Sequence, residues 1–164
     1  PSDVATTLRS FPRRFRAALR PPGDSDEGRT DDALHRRPAD GGLSAIEHAA
    51  WTATAIAQVN EAFRQVIIED NPLIDLPPID VPAPVEGGSD SVDAVDARVE
   101  AAGEPLANAI ANVHGTEWTR TARVGDQQIT ALDVVRHAVR LGVEHLRAAE
   151  LTVAQVVREG IHGG

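Results

Sequence analysis

Apolar residues recur along the chain with the 3.6-residue period of amphipathic helices, in blocks separated by polar or proline-rich stretches. Over 3–20, Val4, Leu8, Phe11, Phe15 and Leu19 form one stripe, with Arg9, Arg13, Arg16 and Arg20 on other faces. Pro12 interrupts this stripe, and a kink is expected there. A second helix is predicted from about Ser44 to Glu69, with Ile46, Ala53, Ile56, Phe63 and Val66 on its apolar face and Asp70-Asn71-Pro72 as its stop. A third should run from Ser89–Ser91 to about Val113, burying Val92, Val95, Val99, Leu106, Ile110 and Val113. Gly103 and Pro105 predict that it bends or breaks. A fourth should run from Thr130 to about Ala149, with Leu151–Glu159 extending it or forming a further piece ended by Gly160.

The connections carry as much information. Residues 21–32 are polar and read as a mobile loop, followed by a turn at Ala33–Arg37 and a tight connection at Pro38–Gly42. Residues 71–88 hold Pro72, Pro77, Pro78, Pro82 and Pro84, then Gly87 and Gly88, which excludes a regular helix and predicts a long extended crossover. Trp118–Thr130 alternates around Gly125-Asp126 and predicts a short hairpin anchored by Trp118. Two helices open alike: Ser44 precedes Glu47 by three, and Thr130 precedes Asp133 by three, the reciprocal capping pattern. The expectation is one all-α domain over 1–164, a four-helix bundle whose crossover lets helices two and three run in the same direction, with 150–164 as a C-terminal extension.

Composition narrows the chemistry. With 41% hydrophobic but only 3% aromatic residues, the core must be aliphatic. A net charge of −9 disfavours nucleic acid or an anionic membrane surface as partner. No apolar run approaches the roughly 18–20 residues that span a bilayer, and a cytoplasmic protein is expected. Cysteine, lysine and tyrosine are all absent, which removes thiolate, Schiff-base and phenolic chemistry. Catalysis must then rest on His, Asp, Glu, Arg, hydroxyls or an external cofactor.

The histidines on the capped helices are the candidates. His48 lies on helix two, and His137 and His145 on helix four. His137 and His145 are about 12 Å apart along a helix at 1.5 Å per residue, too far to share an ion. His137, four residues after Asp133, suggests an intrahelical pair. Glu47 is expected to be occupied at its cap. Arg120 and Arg123 read as solvated, and His35, His114 and His162 as loop or terminal residues without a role.

The order of these features resembles the DinB/YfiT-like superfamily: a helix, Arg36-Arg37-Pro38-Ala39-Asp40-Gly41, the Glu47-His48 helix, a proline-rich crossover, a helix, the Trp118-x-Arg120-Thr121 hairpin and the His145-Leu146 helix. It is most similar to actinobacterial members, which include mycothiol-dependent isomerases. The resemblance implies zinc or nickel held by one histidine of helix two and an H-x-x-x-H pair of helix four. Those positions match Trp51, Leu141 and His145, so only His145 keeps a ligand type. The antiparallel packing that the resemblance implies for helices two and four would bring His48 level with His145.

No firmly bound metal is therefore expected; if one were present, His48 and His145 would hold it. The resulting expectation is a small-molecule enzyme without a metal. His48 and His145 would act as acid or base, aided by Glu144 or Glu47, with Trp51, Leu141 and His137 lining an apolar pocket between helices. The alternatives are a metal- and thiol-dependent transferase, isomerase or hydrolase using an external thiol such as mycothiol, and a non-catalytic ligand-binding or homodimeric interaction module.

Overall fold

The computed structural model describes residues 1–20, 32–81 and 85–162. Helix α1 spans Ser2–Ala18 and buries Ala5, Leu8, Phe11 and Phe15 on the expected stripe. Pro12 stays inside it and removes the N–H that would bond the Leu8 carbonyl. That carbonyl meets the third helix at Gly103, where an added Cβ would sit 3.4 Å from it. The two supposed helix breakers thus face one another across a close helix–helix approach.

Helix α2 spans Ala45–Ile68, entered through a complete capping box between Ser44 and Glu47. It ends where expected, with Asn71 taking a positive φ of 47°. Helix α3 spans Val92–Ala111 as one helix, so of the bend or break expected at Gly103 and Pro105 the break does not occur. Val95, Val99, Leu106 and Ile110 hold it on the core while Gly103 admits the backbone of α1. A 3-10 turn at Gly115–Thr119 carries Trp118, which lies before the hairpin rather than in it. Its ring stacks on Phe63 with centroids 5.8 Å apart, and its Nε1 donates to the Val113 carbonyl at 3.2 Å.

Strands β1, Thr121–Val124, and β2, Gln127–Thr130, form the antiparallel hairpin, with Gly125 at φ +57° in its turn. The start of the crossover adds to it: Arg123 donates its N–H to Pro72 and accepts from Ile74. Arg120 is not a solvated surface residue. Its guanidinium donates to the Val66 and Glu69 carbonyls at 2.9 and 2.8 Å, closing the C-terminal end of α2.

Helix α4 spans Ala131–His162 as one continuous helix, so neither a separate fifth piece nor a stop at Gly160 is present. Val153 and Val156 are buried, and Glu159 accepts from the Ala39 N–H. These contacts outweigh the roughly 1 kcal/mol that glycine costs inside a helix. The 32–35 segment is a helical turn; the remainder of the predicted 21–32 loop, Pro82 and Pro84 of the crossover, and Gly163 and Gly164 lie outside the described residues.

Side-chain pairs set the helix directions. Arg16 meets Asp93 and Arg9 meets Asn108, so α1 and α3 are antiparallel. Arg98 reaches Thr54 near the start of α2, and Trp118, just past the end of α3, reaches Phe63 near the end of α2, so these two helices run the same way. The crossover is what permits this. Helix α4 runs back along α2, joining His145 to His48 at one end and Ala131, through Arg120, to the end of α2 at the other. Among the described residues, no helix is long and apolar enough to cross a membrane.

Candidate functional site

The first turn of α2 is held by charge. Glu47 is 4% exposed. Its carboxylate accepts two bonds from Arg37, at 2.9 and 2.8 Å, and one from the Ser44 N–H at 2.9 Å. These bonds, Arg37's foremost, outweigh burial and bring its pKa down to about 2, with help from the Val85 backbone and the Arg37 charge. Glu47 is thus a fully engaged structural anion and has no proton to exchange at neutral pH.

One residue on, His48 turns toward α4. Its Nδ1 lies 2.9 Å from Nδ1 of His145, with ring centroids 5.1 Å apart and planes tilted by 44°. The other nitrogen of His145, Nε2, lies 2.6 Å from the Ile79 carbonyl. These contacts determine where the protons sit. A carbonyl only accepts, so His145 donates from Nε2 and its neutral ring offers Nδ1 as an acceptor. His48 must then donate from Nδ1, which leaves the lone pair on its Nε2. His145 is 5% exposed and His48 half-buried, so the pair meets its surroundings through His48.

Both rings favour the neutral form. Burial, then the charge of His145, brings His48 down from 6.5 to about 4, against an opposing pull from Glu47. Burial also lowers His145, opposed by its bond to Ile79 and by the charges of Asp80 and Glu144. At neutral pH the pair is a proton acceptor, and the general-acid alternative loses its proton.

Other expected site residues lie as follows. Glu144 is exposed on the neighbouring face and reaches His145 through charge. His137 does not pair with Asp133: its Nε2 bonds the Pro77 carbonyl at 2.7 Å, while Asp133 completes the cap with Thr130 at 2.9 Å. His137 and His145 therefore both fasten the crossover to α4. Leu141 is fully buried, and Trp51 is half-buried with its indole nitrogen covered. A cavity of about 940 Å³ opens beside the Arg37–Glu47 ion pair, with a mixed polar and apolar wall that includes His35, Val85, Ser89 and Ser91, and none of His48, His145, Trp51, Leu141 or His137 lines it. His35, expected to have no role, bonds the Asp90 carbonyl at 2.6 Å.

The Ile79 carbonyl is a backbone group in a proline-rich stretch, and no side-chain pattern marks it. Arg37 was visible only as part of the Arg-Arg-Pro run. Its meaning depends on the loop folding back on Glu47.

No family model and no curated protein matches the chain. Among solved structures, YfiT from Bacillus subtilis, described as a probable metal-dependent hydrolase with an unusual four-helix bundle topology, aligns with a TM-score of 0.66. The two are 16% identical over 96% of this chain and 85% of that one. The likeness establishes the fold that the sequence resemblance implied, a YfiT-type four-helix bundle. The residues here do not fit the three-histidine ion site implied by that resemblance. Trp51 has no lone pair to donate, Leu141 has no donor atom, and among the described residues no three His, Cys, Asp or Glu side chains converge.

Proposed function

We propose that this protein acts on a small neutral carbonyl compound, with His48 as general base and His145 as the residue that orients it. The observation carrying the reading is the directed chain Ile79 carbonyl, His145, His48, with contacts of 2.6 and 2.9 Å. It holds the basic nitrogen of His48 in one tautomer and one orientation. YfiT's description as a hydrolase suggests the reaction class, hydrolysis.

In the proposed step, a water oxygen bonds to the carbonyl carbon while its proton passes to His48 Nε2. The positive charge then spreads into the pair, because His145 Nδ1 accepts the hydrogen bond from His48 Nδ1. Glu47, one residue away and ionised at about 2, stabilises the imidazolium through charge. The tetrahedral adduct collapses by breaking the bond to the leaving group, which takes the proton from His48. An external thiol would give up its proton to the same atom. No step passes through a metal, since the donor set does not fit one.

Hydrolysis of p-nitrophenyl acetate tests the reading. The wild-type protein should exceed the His48→Gln variant about tenfold or more. His145→Gln should be impaired as well, with its pH profile displaced because the orienting acceptor is gone. Equal rates in wild type and His48→Gln, both folded, would remove His48 from the mechanism. The metal reading is favoured by one observation, that two imidazoles from facing helices meet at a single point. Its test is stoichiometric zinc or nickel uptake by the wild-type protein.

A further inference from the structure

The two tryptophans differ in one respect. Trp118 donates its indole N–H to the Val113 carbonyl. The Trp51 N–H is buried and, among the described residues, has no hydrogen-bond partner. A covered donor without an acceptor is rare in native folds and calls for an explanation. Asn60 and Asp96 each also leave one buried oxygen unpaired among the described residues; the Asp96 carboxylate is still engaged by Arg16 through its other oxygen, whereas an indole has a single N–H.

Its position supplies the explanation. Trp51 is one turn beyond His48 on α2, so the two share a face. The antiparallel register that joins His48 to His145 sets Trp51 level with the fully buried Leu141 of α4. Arg37 is bound by Glu47, and Arg98, which reaches Thr54 one turn beyond Trp51, is paired with Asp90, so both guanidiniums are already engaged. A neutral acceptor fits better.

We infer that the Trp51 indole N–H is the hydrogen-bond donor for the carbonyl oxygen of a compact, apolar-bodied ligand seated between α2 and α4 beside His48. Trp51 is then a substrate-binding and specificity residue: it selects carbonyl compounds over hydrocarbons of the same shape and polarises the carbonyl that His48-activated water attacks. Because the nitrogen is covered in this fold, ligand entry must shift the indole. This inference rests on the general-base reading for its catalytic consequence, but not for the binding itself.

The test uses cyclopentanone and cyclopentane as probes, titrated into the ¹⁵N-labelled full chain while the two indole N–H signals are followed. Cyclopentanone should move the Trp51 signal saturably and leave that of Trp118 in place, and cyclopentane should move neither. Replacing residue 51 by 3-benzothienylalanine, which keeps the shape and removes the N–H, should weaken cyclopentanone binding by about tenfold. An equal response to both probes, no Trp51 shift, unchanged affinity of the benzothienyl protein, or a persistent contact between the Trp51 indole proton and a bound water in the free protein would each overturn the inference. His48→Gln in the same titration separates the two readings. It should retain the Trp51 shift while losing ester hydrolysis; if only the shift fails, the general-base reading stands without this one.

Discussion

Acidification should loosen the protein through the histidine pair, and the size of the effect follows from its burial. His48 ionises near 4 in the folded protein against 6.5 when free. Its folded pKa is depressed, so between those values the unfolded chain holds the extra proton. Stability rises with pH wherever the unfolded state binds more protons. The contribution is therefore complete above about 6.5 and is lost as pH falls toward 4. At 1.36 kcal/mol per pKa unit the full displacement is worth roughly 3 kcal/mol, and solvent screening of the half-exposed ring brings it to about 1–2 kcal/mol. His145, also lowered, adds in the same direction. The assay is urea unfolding followed by the fluorescence of Trp51 and Trp118 at intervals from pH 7.5 to 4.5. The wild type should lose stability across this range, and His48→Gln should lose distinctly less. A flat wild-type profile, or equal slopes for the two proteins, would refute the burial argument.

Three further outcomes are expected. Glu47→Gln breaks a buried ion pair and weakens the α2 cap, and should cost about 3 kcal/mol in urea unfolding. It should also abolish the separate acid-sensitive window from 4.5 down to about 2, through which Glu47's stabilisation is lost as pH falls. Gly142→Ala would place a Cβ 2.4 Å from the buried Phe11 ring, and should destabilise the protein by about 1–3 kcal/mol, visible as a lower Tm. Combining Trp51→His with Leu141→His restores ligand types at the two altered positions. That double variant should acquire zinc or nickel affinity measurable by calorimetry, and a folded double variant that binds neither ion would show that the register between α2 and α4 is wrong.

The bundle was legible because its signals are local and repeated. The stripe Leu8, Phe11, Phe15 and the Ser44–Glu47 box need no knowledge of distant partners, and the prolines of 71–88 can belong only to a crossover. Breakers were misread because their meaning is tertiary. Gly103 looks like an interruption in one dimension but in three admits the Leu8 carbonyl that Pro12 leaves without its helical partner. Gly160 failed as a stop for the same reason, since Glu159 and Gln155 tie that stretch of α4 to Ala39 and Asp40. At the site, helix register combined with the antiparallel packing implied by the resemblance was enough to bring His48 to His145. The Ile79 carbonyl, the engagement of His137 with Pro77 and the capture of Glu47 by Arg37 depend on how loops fold back, which residue spacing does not encode.

The central claim is that His48 and His145 form a directed neutral pair rather than half of an ion site. Long-range ¹H–¹⁵N correlation of the imidazole nitrogens at pH 7, before and after one equivalent of zinc, tests it most directly. The expected spectrum shows His145 protonated at Nε2 and His48 at Nδ1, with no change on adding zinc. Stoichiometric zinc-induced shifts of both Nδ1 atoms, with loss of the His48 Nδ1 proton, would contradict the account.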